Sequence, residues 1–191
     1  RGRVILWDDT FVRYYEPNVG ISAVRVLEAA GFEVVLPRGR ACCGRPAFSG
    51  GRLDLAKRLG THNIDLFTRQ DGHEPILFME PSCWSMFKED YAELRIPGSE
   101  KIAQRCMLFE QFIYELLERE PDALQFAEGF NRVAIHGHCH TKALSDPGVS
   151  TRLAQRLPNS KVTTLQTGCC GMAGAFGALS AKYDLSVKVA Q

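Results

Sequence analysis

The sequence predicts an α/β fold of two related halves, each with a parallel sheet and helices on both of its faces. Three observations predict it. Short apolar runs of strand length alternate along the chain with stretches of helical period, the pattern of βαβ units. The order strand, helix, strand, Cys-Cys-Gly occurs twice, with "ACCGRP" at 41–46 and "TGCCGMAGAFG" at 167–177. Equivalent positions also keep a near-constant offset: Val133 answers Val4 and Cys170 answers Cys43, 129 and 127 residues further on.

The elements follow in order. "RVILWDD" (3–9) is a buried strand, and "ISAVRVLEAAG" (21–31) a helix with Val24 and Leu27 inward and Gly31 past its end. "FEVVLP" (32–37) is the second strand. Residues 52–67 form a helix with Leu55, Leu59 and Leu66 aligned, and "PILFME" (75–80) is the third strand. One longer helix is expected over about 99–119. The second half then runs strand "RVAIHGH" (132–138), helix near 149–157, strand "KVTTL" (161–165) and a helix from about 174 onward. The expected organisation is a first repeat at 1–95, a connecting helix and loop at 96–131, and a second repeat at 132–191. Two pseudo-twofold βαβ (Rossmann-like) halves of this kind turn their strand ends toward the junction, the edge that ligands favour in open α/β sheets.

Composition narrows the function. The 191 residues carry 23 Lys+Arg against 22 Asp+Glu, which supplies no basic field for nucleic acid. No apolar run approaches membrane-span length and no signal peptide opens the chain. The expectation is a cytoplasmic protein, with peripheral placement on the inner face of the membrane left open. The chain starts without methionine, as a processed chain or a piece of a longer one would. Seven cysteines are many for a reduced compartment and an odd number for a disulfide framework, so metal or redox chemistry is the expected use.

Cys-Cys-Gly suits that chemistry. Neighbouring side chains on an extended strand point apart, so two thiolates reach one centre only on a turn. Glycine permits positive φ there, and successive N–H groups can aim at sulfur. Iron–sulfur clusters are held by such thiolates, and zinc accepts the same ligands without redox chemistry. In the second half Cys139 ends a strand within "HGHCHTKAL", among His136, His138 and His140, with 29 residues between it and Cys169. In the first half Thr10 holds the matching place, and Glu80 precedes Cys83 in "MEPSCWSMF".

These motifs resemble the cysteine-rich CCG domain found in duplicate in heterodisulfide reductases, in the iron–sulfur subunits of glycolate oxidase and anaerobic glycerol-3-phosphate dehydrogenase, and in lactate-utilisation proteins. "HGHCHTKAL" and "GCCGMAGAFG" look most like the C-terminal iron–sulfur region of large FAD-linked oxidases. The resemblance implies an electron-transfer domain. It would pass electrons from a flavin domain oxidising a 2-hydroxy acid, of the lactate, glycolate or 2-hydroxyglutarate type, to an acceptor such as quinone. The fragment itself would carry no catalytic residue. FAD would sit on a companion domain of the same polypeptide or on a companion subunit. Cys42, Cys43, Cys83, Cys139, Cys169 and Cys170 would be the thiolates of a cluster of the 4Fe-4S type. The alternative is a zinc-bound or metal-free docking module of the same oxidoreductase.

The chain departs from the family pattern of a cysteine, CCG and C-x-x-C in each copy. Thr10 and Glu80 replace two cysteines of the first copy, and the closing pair of the second is expected near positions 207 and 210, past Gln191. Glu80 is either an oxygen ligand or a helix-start carboxylate. His138 and His140 flank Cys139, so on an extended stretch both would face away from it. One of them could be a ligand or a donor to one. His62 and His73 receive no role. Cys106 falls in a stripe with Ile102, Phe109, Ile113 and Leu116 at helical spacing, which makes it packing. Gly168, Gly171, Gly174 and Gly177 are spaced by threes, unlike the G-x-G-x-x-G of a dinucleotide loop.

Overall fold

The computed structural model describes residues 1–69, 72–129 and 132–191. Position 131, the expected end of the connecting segment, lies outside the described residues, as do Gln70 and Asp71 of the loop before His73. The first half opens with β1 (Arg3–Trp7), α1 (Thr10–Tyr14), α2 (Pro17–Ala29) and β2 (Glu33–Val35). It continues with α3 (Arg45–Ser49), α4 (Leu53–Thr68), β3 (Ile76–Phe78) and α5 (Pro81–Ser85). A π-helical turn (Met86–Asp90) leads into α6 (Tyr91–Glu93), α7 (Ser99–Ala103), β4 (Cys106–Leu108) and α8 (Phe109–Arg119). The second half holds β5 (Arg132–Ile135), α9 (Cys139–Leu144), α10 (Val149–Ala154), β6 (Lys161–Thr164) and α11 (Tyr183–Ala190).

The first sheet is wholly parallel, in the order β2-β1-β3-β4, with Ile5 opposite Ile76 and Ile76 opposite Cys106. Alternation along β1 sends Val4 and Leu6 into one core layer and Ile5 and Trp7 into the other, as a strand covered on both faces requires. The second sheet pairs β5 with β6, also in parallel. The halves are unequal in packing: every buried hydrophobic side chain among the described residues lies at or before Leu117. The second half leans on the first through α10 against α8 and α9 against α5. Arg152 and Arg156 lie over the Tyr114 ring, 5.0 and 5.8 Å from its centroid.

Several sequence expectations change. The helix expected over 99–119 is two helices separated by β4. Cys106 is buried as expected, but on a strand that pairs with β3. On α4 the buried stripe is Ala56, Gly60, Asn63, Ile64 and Phe67, one step round from the half-buried Leu55, Leu59 and Leu66. Small residues on that face let the helix approach closely, and the leucines flank it. The helix expected from 174 is two single 3-10 turns, Phe176–Ala178 and Ser180–Lys182, followed by α11. Positive φ at Gly171, Ala173 and Gly174 keeps the chain there out of the right-handed helical region. Finally, "RVAIHGH" leaves the sheet at Ile135, and α9 begins at Cys139.

The connections place the site. From β1 the chain moves to β2 on one side and afterwards to β3 on the other. The crevice beyond the carboxyl ends of β1 and β3 is therefore the switch point of the sheet, where ligands bind in such folds. Asp9, Thr10 and Glu80 to Cys83 all stand at that edge.

Candidate metal centre

The first Cys-Cys-Gly turn is built to gather sulfur. Gly44 has φ +89°, and a Cβ there would stand 3.3 Å from Ala56 Cα, so the turn needs glycine both for its conformation and for its approach to α4. The Gly44 N–H donates to Cys42 Sγ at 3.5 Å. Two buried side chains clamp the turn. Asn63 accepts from the Ala41 N–H at 2.9 Å and donates to the Cys42 carbonyl at 3.1 Å. The Tyr91 hydroxyl donates to the Cys43 carbonyl at 2.7 Å.

The third sulfur arrives on α5. Glu80 caps this helix, its Oε1 accepting from the Ser82 N–H at 3.0 Å, and Pro81 occupies the first helical position, where its missing N–H costs nothing. This start turns Cys83 inward, and its Sγ lies 3.0 Å from Cys43 Sγ. The crowding disturbs Cys42 and Cys43. Cys42 is pushed well above the ordinary thiol range, first by its hydrogen bond with Cys43 and then by burial. For Cys43 the contact with Cys42 pulls downward, but Cys83 and burial outweigh it and the net direction is up. Cys42 and Cys43, which resist ionising beside the Cys83 sulfur, are part of a donor set that a cation would relieve. The three sulfurs fit a thiolate-held iron–sulfur cluster, and they equally fit a thiolate-bound ion.

Thr10, Cys42, Cys43, Arg45 and Cys83 line a cavity of about 370 Å³ that Met172 and Gly174 of the second half close. Next to it lies a second cavity of about 340 Å³, bordered by Glu80, His138, Cys139, His140 and Cys170. Phe11, Tyr15, Ser82, Met172 and Gly174 are walls of both, so the two form one cleft between the halves. The second Cys-Cys-Gly turn repeats the first: Gly171 has φ +79°, and its N–H donates to Cys169 Sγ at 3.3 Å. Cys170 borders the cleft. Cys169 is exposed and lines neither cavity.

The helix start at Cys139 alters the expectation for the histidines. The His138 Nδ1 accepts from the His140 N–H at 3.1 Å, as an N-cap does. The two rings then stack 5.2 Å apart on one side, not on a face opposite Cys139. Cys139 Sγ is 4.0 Å from His138 Nδ1 and 3.9 Å from His140 Nδ1. Burial first, with the positive charge of Arg45 also acting, pushes His140 down to about 4. Burial likewise lowers His138, against the pull of Glu80. Both imidazoles are therefore neutral at pH 7, as metal ligands must be.

Sequence reasoning did not single out Asn63, Tyr91, Arg45 or Asp9. Arg45, buried beside Cys43, donates to Ser85 Oγ at 2.7 Å and to the Ser82 carbonyl at 3.3 Å, and pairs with Asp90. Asp9 caps α1 through Oδ1. Its Oδ2 is buried with no hydrogen-bond partner among the described residues. Burial, followed by the nearby Glu80, raises its pKa against the pull of the cap hydrogen bonds. The signal for Asn63 was available, since it is a lone amide on the apolar stripe of α4.

A parallel sheet whose switch point carries a Cys-Cys-Gly turn and a facing cysteine defines the class: a cysteine-rich domain of the CCG type. The sequence profile of that family, CCG, cysteine-rich domain, matches residues 9–88. The chain is 30% identical to lactate utilization protein A 2 of Bacillus mycoides (strain KBAB4) over 183 residues, which is 91% of this chain and 74% of that protein. Against lactate utilization protein A of Bacillus thuringiensis (strain Al Hakam) the identity is 31% over the same shares. A subunit of the anaerobic glycerol-3-phosphate dehydrogenase of Escherichia coli (strain K12) is 24% identical over 97% of this chain, which spans 47% of that protein's length. The chain belongs to the CCG cysteine-rich family, in the company of lactate utilization protein A. Among the described residues no helix is long and apolar enough to cross a membrane.

Proposed function

We propose that this chain is the electron-transfer part of an oxidoreductase, with Cys42, Cys43 and Cys83 holding an iron–sulfur cluster of the 4Fe-4S type. The observation that carries the reading is the meeting of these three sulfurs at the switch point, with Cys43 and Cys83 in contact at 3.0 Å. Such a cluster supplies one-electron acceptance and release when bound. The chain's own residues do the rest. Asn63 and Tyr91 fix the turn, the Gly44 N–H points at sulfur, and Arg45 sets positive charge against an anionic centre. Met172 and Gly174 cover the cavity from the second half. Cys139, Cys169 and Cys170 are the corresponding cysteines of that half, in an organisation of repeats at 1–95 and 132–191 joined by 96–131.

The names of the relatives, lactate utilization and glycerol-3-phosphate dehydrogenase, support a place in the oxidation of a small hydroxylated substrate. In this reading an FAD-binding domain or companion subunit removes the hydride from a 2-hydroxy acid, and the electrons leave toward an acceptor such as quinone. The test is anaerobic reconstitution with ferrous iron and sulfide. A brown chain that dithionite bleaches, with iron and acid-labile sulfide in similar amounts, is the expected result. A colourless chain that takes up zinc and no sulfide refutes it. A specific observation favours zinc at one place, where His138 and His140 flank Cys139 and Glu80 of the first half faces His138.

A further inference from the structure

We infer that the cleft holds a second, mononuclear site for a divalent ion of the zinc class, bound by Glu80 of the first half with His138, Cys139 and His140 of the second. The inference rests on the preceding reading only in leaving the first-half thiolates to the cluster. Three of the donors are neighbours at the start of α9, and the fourth borders the same cavity. One ligand atom each from His138, Cys139 and His140 lies within 4.8 Å of the others. Glu80 Oε1 stands 3.6 Å from His138 Nε2. That separation is too long for a hydrogen bond. It is close to the edge of a zinc tetrahedron, which bond lengths of roughly 2.0–2.2 Å to nitrogen and oxygen put at about 3.3–3.5 Å.

The orientation of the donors points the same way. His138 Nδ1 is occupied by the His140 N–H, which leaves Nε2 as the free nitrogen, and Nε2 faces Glu80. A backbone partner on one ring nitrogen, with the other turned toward the ion, is how ligand histidines are held. Glu80 is held by the start of α5, and α5 packs on α9, so both sides of the site stand on fixed elements. Two neutral imidazoles with one carboxylate and one thiolate balance a divalent charge. They form a mixed N, O, S set, which suits zinc and differs from the all-thiolate set of a cluster.

Cobalt(II) titration of the metal-free chain under anaerobic conditions tests the site. In Cys83→Ser, where the first thiolate set is broken, one cobalt per chain is expected. It should show thiolate-to-cobalt charge-transfer absorption and the intense visible bands of four-coordination. Glu80→Gln keeps an oxygen to accept from Ser82, and His140→Ala removes a half-exposed ring. Each is expected to weaken cobalt binding in that background roughly tenfold or more, with far-ultraviolet circular dichroism unchanged. Cobalt binding lost in Cys83→Ser overturns the inference, because the ion then sits on the first-half thiols, and so does binding that Glu80→Gln and His140→Ala leave undiminished in that background. Bands without thiolate charge transfer overturn it as well. Should Cys83→Ser not fold, zinc is counted in the wild-type background: two ions per chain falling to one in Glu80→Gln supports the site, and an unchanged count overturns it. Failure of the electron-transfer reading shows separately, as wild-type protein that incorporates no iron or sulfide, and it does not alter the cobalt result.

Discussion

Cys43 and Cys83 come from different crossovers, and their sulfurs lie 3.0 Å apart on the carboxyl edge of one sheet. The contact is fixed from both sides, by the clamped Cys-Cys-Gly turn and by the capped start of α5. Cys83→Ser removes one sulfur with little change of volume and is expected to abolish iron and sulfide uptake. Cys106→Ser, at the buried thiol of β4 whose Sγ donates to the Ile102 carbonyl, is expected to keep most of it. Elemental analysis after anaerobic reconstitution reads the difference, and equal loss in both variants refutes the assignment.

The same thiols predict how the metal-free protein responds to alkali. Burial pushes Cys106 up to about 12 in the folded chain, from about 9 in the unfolded one, and Cys42 and Cys43 also move up. Between those values the unfolded chain has lost protons that the folded chain keeps, so stability falls as pH rises. Below about pH 9 these groups leave stability unchanged. The melting temperature of metal-free protein should therefore decline from about pH 9 upward. In Cys106→Ala the decline should be shallower, although the variant starts from a lower melting temperature because of the cavity it creates.

Much of this was legible in the sequence, for physical reasons that also mark where reading stopped. β1 and β3 are covered on both faces, so they print as continuous apolar runs, and the repeated Cys-Cys-Gly marks the edge they share. β4 was hidden because three residues are too few to show a period, and Ile102, Cys106 and Phe109 happen to continue the spacing of the helices on either side. The histidines were misplaced because an extended stretch was assumed through 138–140, whereas the chain turns into α9 at Cys139. Asn63 and Tyr91 meet the sulfur turn only through the fold, from 21 and 48 residues away, and Arg45, which directly follows the turn, finds its partners Ser82 and Ser85 37 and 40 residues further on.

The clamp on the turn predicts a graded loss of stability. Asn63→Ala strips partners from the Ala41 N–H and the Cys42 carbonyl and opens a hole, and it is expected to cost about 2–4 kcal/mol. Tyr91→Phe keeps the ring, which packs 4.8 Å from Phe87, and leaves one carbonyl without its donor, for about 1–2 kcal/mol. Urea unfolding of metal-free protein measures both. If the order is reversed, the amide is not the principal clamp.

Arg45 offers the sharpest test that the first cavity holds a redox centre. Its guanidinium is buried and paired with Asp90, and its side chain lines the cavity with Cys42, Cys43 and Cys83. Reduction adds negative charge, so a fixed positive charge nearby favours the reduced state. Arg45→Gln removes that charge and leaves Asp90 unbalanced, and both effects oppose reduction. The midpoint potential is expected to fall by roughly tens of millivolts, where about 59 mV is tenfold for one electron. Asp90→Asn leaves the guanidinium unopposed and should move the potential the other way. Breaking the pair from either side also costs stability, about 3–5 kcal/mol for a buried ion pair, so a falling melting temperature is common to both single variants and decides nothing. The sign of the potential shift decides, because a purely structural role would move both variants in the same direction. A redox titration followed by electron paramagnetic resonance separates the two. Opposite shifts, largely cancelled in the Arg45→Gln, Asp90→Asn double variant, place a charged redox centre beside Arg45, and parallel shifts remove it from there.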